Sequence, residues 1–532
     1  MKPKALVKDI LGGLPFTVEL DWYLRQRHKG LKSRFKLTLL DDYLNDMSED
    51  TLAQIAGAPL GKKVFLFASW HYWIMHTTLC GLVLRGMGYD ITLGYFPYGD
   101  YNRPVSSFDL RRQDLYARNI LKKARSLIEV APFLEVEPAR QIPDALIKAV
   151  EQVTLFDSQY TLQREDVSGD EPIYYLRQER NLEAARKAYT YLQENRPDVV
   201  IIPNGMIQEY GAVYETARLL GIPTVTYEFG EQDRRVWLDQ NGLVMYHLVD
   251  LAWEKYRARQ LDQQQREWLE TFLEARQGVQ VGAAFAHLYQ KTSRFGSESI
   301  RASLGLDERP IVLLPTNVLG DSATLGRTVF SQSMADWIER IIPYFASHSE
   351  VQWVVRIHPA ETWTVGPSVA EIFQKTMPEL PSHIHLIGST EKVNTYDLMD
   401  ITDLALVYTT TAGMELALRG IPVLVSGGAH FRKKGFTLDA DTWEEYFALL
   451  DAALSDLPDH RLTAQQIETA RNYAYFYFHD YPLPFPWHVE RIGKDLERSS
   501  LTYVLGKEGQ AEFGQTFRQL AGEPLINQEN SI

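Results

Sequence analysis

The sequence predicts an α/β protein of two Rossmann-like domains facing across a cleft, with a C-terminal helix and an aromatic tail packing back. Three observations carry this. The chain has 532 residues, beyond the size at which a single core usually divides. In its first half, short apolar runs alternate with helix-period segments, the order that builds a doubly wound sheet. The same alternation restarts near residue 310.

Residues 1–60 read as mostly helical, broken at Gly12, Gly13 and Pro15. GKKVFLFAS (61–69) is a short apolar run after a polar start and reads as a buried strand. A loop and helix follow over 70–88, closed by Gly86 and Gly88, and 89–96 is the next strand. Residues 105–195 read as largely helical. A β-α-β unit then runs through the strand 196–205, the helix 210–223 and the strand 224–230. Residues 255–295 read as helices that lead to a link at 295–308. Beyond it come strands at 310–318, 351–359, 383–388, 403–409 and 421–428, with helices at 330–346 and 411–420. The expected division is a helical segment 1–60, a first domain 61–300, a second domain 301–460, and a C-terminal helix and tail 461–532.

Composition excludes several classes. Cys80 is the one cysteine, so neither a disulfide framework nor a thiolate metal cluster is possible. The net charge of −14 argues against a nucleic-acid-binding surface. The N-terminus lacks the apolar core of a signal peptide, and the longest apolar stretch, Trp70 to Leu84, is broken by His71 and His76. A cytoplasmic protein is expected. Residues 1–36 hold nine Lys or Arg against three Asp or Glu, which suits peripheral contact with an anionic membrane on its inner face. There is no Walker loop, no G-x-S-x-G and no H-E-x-x-H. Asp439-Ala440-Asp441 reads as a helix N-cap region rather than a metal motif, and no essential metal or cofactor is expected.

The strongest chemical signal is Thr409-Thr410-Thr411-Ala412-Gly413-Met414-Glu415, followed by Gly420-Ile421-Pro422-Val423. Hydroxyl residues and Gly413 sit where a strand turns into a helix, and free N–H groups there favour an anion such as a diphosphate. Glu415, in the first turn, is placed to accept hydrogen bonds from ribose hydroxyls; helix capping is the alternative. Arg356, His358, Pro359 and Glu361 end another strand of the same sheet, and a cation with an imidazole suits a phosphate. Thr316, Asn317 and Asp321 follow the first strand of this half. A Gly-rich basic loop with Gly428, His430, Lys434 and Thr437 is a candidate to neutralise the diphosphate. In the first half, Trp70, Asn204, Gly205 and Glu228 are expected on the acceptor side of the cleft. His71, Glu228, Glu231 and Asp233 are candidates for a general base.

These motifs resemble the bacterial capsule polysaccharide biosynthesis proteins, which include the Kdo transferases of capsule export. The resemblance lies in Arg356 to Glu361, Thr409 to Glu415 with Gly420 to Val423, the loop His430 to Thr437 and the aromatic tail Tyr473 to Trp487, within roughly 310–490. It implies a GT-B architecture and a glycosyltransferase, which the absence of a metal motif makes metal-independent by expectation. His358, Pro359, Thr410, Thr411 and Gly413 would meet the nucleotide phosphates and Glu415 the ribose. The expected partners are a nucleotide-sugar and a glycan or lipid-linked acceptor. A nucleotide-sugar epimerase and a non-catalytic assembly protein are the alternatives.

Overall fold

The computed structural model describes residues 3–26, 35–230, 232–277, 294–364, 366, 368–457 and 461–525. The chain forms two separate sheets. The first contains β1 (Lys63–Ser69), β2 (Asp90–Phe96), β3 (Glu129–Pro132), β4 (Val199–Pro203), β5 (Thr224–Glu228), β6 (Arg235–Gln240) and β13 (Leu483–Pro484). Their order is β13-β6-β5-β4-β1-β2-β3. β1 is central, parallel to β2 with Lys63 opposite Asp90 and to β4 with Val64 opposite Val199. β6 runs antiparallel to β5, and β13 antiparallel to β6.

The second sheet contains β7 (Ile311–Pro315), β8 (Gln352–Arg356), β9 (Ile384–Ile387), β10 (Leu404–Val407), β11 (Val423–Val425) and β12 (Leu438–Asp439). It is wholly parallel, in the order β12-β11-β10-β7-β8-β9. Helices cover both faces of such a sheet, which is why β7, β8 and β10 are buried along their whole length without alternation.

The strands absent from the sequence reading, β3, β6, β12 and β13, are short or polar and lie at or next to a sheet edge. Two packing relations cross the expected division. Helices Asp250–Tyr256 and Gln263–Arg276 precede residue 300, yet Trp253, Tyr256 and Leu269 are buried in the second core. Trp253 stands edge-on to Tyr473 at 5.0 Å, and Tyr256 lies 5.0 Å from Phe476. Those rings offer apolar area for the two helices to bury. Conversely, Phe485, Trp487, Phe513 and Phe517 from the tail join the first core. The tail thus packs back, as expected, on the first sheet.

The halves also grip each other directly. Glu165, beyond helix Asp144–Leu162 of the first half, accepts from the N–H groups of Met334 (3.1 Å) and Ala335 (2.8 Å), capping helix Met334–Ser347 of the second. Met206, Ile207, Val244, Met245 and Leu325 form a small apolar cluster between them.

Candidate functional site

β10, β7 and β8 are neighbours in the second sheet, so the loops leaving their carboxyl ends converge. Thr316 follows β7, His358 and Pro359 follow β8, and Thr409 to Thr411 lead from β10 into the short helix Ala412–Ala417. A cavity of about 200 Å³ opens between these loops. Thr316, Arg356, His358, Pro359, Thr410, Thr411 and Glu415 line it, all of them chosen from sequence. Arg276, Thr395, Tyr396 and Met399 also line it and were missed. Arg276 lies far from the motif in sequence and ends a polar helix, so nothing local marked it.

Glu415 is buried in the first turn of its helix. Arg276 donates to Glu415 Oε1 from Nε at 3.2 Å and from Nη2 at 2.9 Å, and Nη2 also reaches Thr411 Oγ1 at 3.4 Å. Burial works against the Arg276 charge, but the Glu415 carboxylate outweighs it and holds the guanidinium above its ordinary pKa. Glu415 Oε2 is buried and has no hydrogen-bond partner among the described residues. A carboxylate oxygen left this way is costly until a donor meets it. Tyr396 lies beside it, its phenol pKa raised by burial and then by the Glu415 charge.

His358 caps the 3₁₀ turn Pro359–Trp363. Its Nδ1 accepts from Ala360 N at 3.1 Å, and its own N–H donates to Thr316 Oγ1 at 3.1 Å. An accepting Nδ1 leaves the proton of the neutral ring on Nε2. Burial draws the imidazole down to about 4, against the opposing pull of Asp321. Near neutral pH it is therefore an uncharged donor. Arg356 also departs from the expected role. Its Nη1 donates to Gly388 O at 2.6 Å and its Nη2 to Val393 O at 3.2 Å, so the guanidinium holds down the loop after β9.

Other candidates stand behind the cavity wall. Asn317 Oδ1 accepts from Thr409 N at 3.2 Å, Thr409 Oγ1 donates to Ala323 O at 3.0 Å, and Asp321 Oδ1 accepts from Ala323 N at 3.0 Å. These three tie the β7 and β10 loops together. Glu361 accepts from Val369 N at 3.3 Å, and burial pushes its carboxyl up to about 7. Gly413 was expected to admit a ligand, but a Cβ there would meet Phe431 Cζ at 2.9 Å, so its close neighbour is a ring.

The basic loop is likewise turned inward. Gly428 N donates to Arg327 O at 2.7 Å. His430 is buried, stacked on Tyr477 with centroids 3.7 Å apart, and burial holds its pKa well below the ordinary value. Lys434 pairs with Asp250, and Thr437 Oγ1 donates to Asp439 Oδ2 at 2.8 Å. The apolar area of the tail's rings and the local acids claim this loop. Asp439 ends β12, and the N-cap of helix Trp443–Ser455 is Thr442 rather than the Asp439-Ala440-Asp441 stretch.

In the first half, Trp70 turns β1 into helix His71–Gly86 at φ 74°, and its ring lies 4.8 Å from Tyr101. His71 stands edge-on to Phe35 and Tyr72, and burial lowers its pKa. Asn204, at φ 59°, donates from Nδ2 to Glu228 Oε2 at 3.1 Å and accepts from Met206 N at Oδ1. Gly205, at φ 80°, has no room for a Cβ, which would meet Thr226 Cγ2 at 2.5 Å. Glu228 Oε1 accepts from Phe229 N at 3.0 Å; burial raises the carboxyl pKa, and Glu490 adds to the rise. Tyr160 feels the charges of both Asp321 and Glu228, so the two halves approach each other here. Asp233 is no free base: its oxygens meet Arg491 and Arg498, each at 3.0 Å, and clamp the tail. Glu231 lies outside the described residues.

A family model, "Capsule polysaccharide biosynthesis protein", matches residues 264–476, a stretch that includes Arg276 and Glu415 and ends at Phe476, near the start of the aromatic tail. Among solved structures, the chain is similar to two of KpsC from Thermosulfurimonas dismutans. The beta Kdo 2,4 transferase is 16% identical, with 59% of this chain and 88% of that one covered and a TM-score of 0.36. The beta Kdo 2,7 transferase is 14% identical over the same shares, with a TM-score of 0.33. MurG from Acinetobacter baumannii is 12% identical, with 82% of this chain and 100% of that one covered and a TM-score of 0.27. At these scores the superpositions say nothing of activity. Among curated proteins, none matches by sequence.

Proposed function

Starting from residues 264–476 as a region of the capsule polysaccharide biosynthesis protein family, we propose that this chain is a GT-B-type glycosyltransferase acting on a nucleotide-activated sugar. The acceptor is a surface glycan or its lipid-linked precursor. The observation that carries the reading is Glu415: a buried carboxylate anchored through one oxygen by Arg276, with the other unmet at the wall of a cavity. Two vicinal ribose hydroxyls supply the donors it lacks. The Thr410 and Thr411 hydroxyls and the His358 Nε2–H take the phosphates, and they share the leaving-group charge. This assigns leaving-group stabilisation to side chains rather than to a metal. Across the cleft, Glu228 is the favoured base, since a raised pKa suits a carboxylate that must take a hydroxyl proton.

The test is a thermal-shift and calorimetric screen against CMP, UDP, GDP and dTDP, with His358→Ala and Glu415→Gln as controls. One nucleotide is expected to bind the native chain and to lose about 1–3 kcal/mol with either substitution. A folded protein that binds none of them overturns the reading. Incubating the nucleotide-sugar without acceptor then separates transferase from epimerase, because only an epimerase returns an inverted sugar nucleotide.

A further inference from the structure

The two N-terminal helices are inside out. Among the described side chains of Pro3–Gly13 and Thr17–Gln26, Lys8, Asp9 and Asp21 face the protein, and most of the apolar ones face water. Lys8 pairs with Asp109 at 2.6 Å, and Asp9 Oδ1 accepts from Ser107 N at 2.9 Å. Gly12 lies so close to Phe108 N that a Cβ there would stand 2.2 Å away. Arg111 donates to Gly12 O at 2.7 Å and Leu14 O at 2.9 Å and pairs with Glu19 at 3.1 Å. Val18 and Trp22 complete the docked face, with Trp22 5.9 Å from Tyr116.

The outward face of the first helix carries Val7, Ile10 and Leu11 and continues to Leu14; that of the second carries Phe16, Leu20, Tyr23 and Leu24. Both follow helical spacing, i, i+3 or i+4, i+7. Phe16 is 77% exposed, Ile10 and Leu20 59%, Tyr23 61% and Leu24 58%. Single exposed hydrophobics need no explanation, but a contiguous stripe over two helices does.

Charge decides what covers it. Residues 1–36 carry nine Lys or Arg and three Asp or Glu, in a chain of net charge −14. Of the three acids, Asp9 and Glu19 are bound by groups of helix Ser107–Ile120, and Asp21 lies 3.9 Å from Arg112. In sequence this segment is therefore net basic, and the described outward face of its helices is apolar. A second copy docked face to face would oppose two basic segments. An anionic lipid surface matches both features.

We propose that helices Pro3–Gly13 and Thr17–Gln26 form a docking surface for an anionic bilayer, entering its headgroup region through Ile10, Leu14, Phe16, Leu20, Tyr23 and Leu24. No helix among the described residues is long and apolar enough to cross a membrane, so these lie along it. The loop before helix Ser107–Ile120 ties the surface to the acceptor side of the cleft. Arg180 donates to Asp100 O and Arg103 O, each at 2.8 Å, and Tyr101 packs on Trp70. The proposal does not depend on the transferase reading, because its readout is binding alone.

The test is vesicle flotation of the full chain, native and Phe16→Ser/Leu20→Ser/Leu24→Ser. One set of vesicles is phosphatidylcholine and the other phosphatidylcholine mixed with phosphatidylglycerol. The substituted side chains are exposed, so circular dichroism and thermal midpoint are expected to stay unchanged. The native chain is expected to float with the anionic vesicles and the triple variant to lose about tenfold or more in partitioning. A native chain that stays at the bottom overturns the proposal. So does a variant that floats equally, which leaves charge without insertion. A native dimer that the variant breaks, with no flotation by either, assigns the face to a second copy instead.

Discussion

Arg276 and Glu415 form an ion pair at 2.9 Å in the cavity wall, and both are almost fully buried. Removing one leaves the other as an uncompensated charge. Arg276→Met and Glu415→Leu are each expected to cost about 3–5 kcal/mol of stability. The double variant should cost less than the sum of the two, as urea titration would read. His358 gives a pH-dependent expectation at the same scale. Its folded pKa of about 4 lies below the ordinary 6.5, so burial favours the neutral ring. The sign follows: the stability it contributes is complete above pH 6.5 and is lost as pH falls through 4. The native chain should therefore lose stability relative to His358→Gln on acidification across that window. The ratio of their nucleotide affinities should stay flat from about pH 6.5 to pH 8, since the ring carries no charge there. A ratio that climbs on acidification within that range would instead mark a cationic phosphate ligand.

At the scale of elements, the short helix Ala412–Ala417 is held at its carboxyl-edge position by packing. Gly413 meets the Phe431 ring on one side and Val407 on the other, with a Cβ 3.1 Å from Val407 Cγ2. Gly413→Ala is expected to lose about 1–3 kcal/mol of stability through overpacking, and Phe431→Leu in the same chain should recover part of it. If Gly413 served a phosphate instead, calorimetry would show lost affinity with an unchanged thermal midpoint. The carboxyl ends of β7, β8 and β10 supply the loops, but helix Gln263–Arg276 supplies the counter-ion that fixes Glu415. The site is thus built from elements far apart in the chain.

For the whole molecule, the crossing of the C-terminal tail to the first sheet is decisive. Trp487 is fully buried in the first core, and its Nε1 donates to Ser499 O at 2.7 Å. His76 Nε2 and Trp487 O lie 3.4 Å apart, while Phe517 packs against Trp487. Trp487→Ala is expected to cost about 3–5 kcal/mol. Its unfolding should be followed by a probe in each half. Because the tail leaves the second core at Phe478 and enters the first at Phe485, both halves should lose structure together. Two well-separated transitions would mean that the halves fold independently of this strap.

The sequence by itself determined the two sheets and the loops that meet at the second one. β1, β4, β7, β8 and β10 each hold a continuous apolar stretch because both of their faces are covered, and such stretches announce themselves without knowledge of their neighbours. Thr410, Thr411, His358 and Glu415 were legible for the same reason: each stands just past the end of one of those runs. Tertiary structure alone decided the rest. The edge strands β3, β6, β12 and β13 carry too few apolar residues to signal, and they exist because a neighbour offers hydrogen bonds. His430 and Lys434 sit in a basic, glycine-rich loop that reads as a phosphate cradle, yet aromatic packing and the charge of Asp250 turn them inward. Arg276 and the tail reach partners more than a hundred residues away in sequence. Such contacts depend on which buried surface is still uncovered once the sheets have formed, and local sequence carries no record of that.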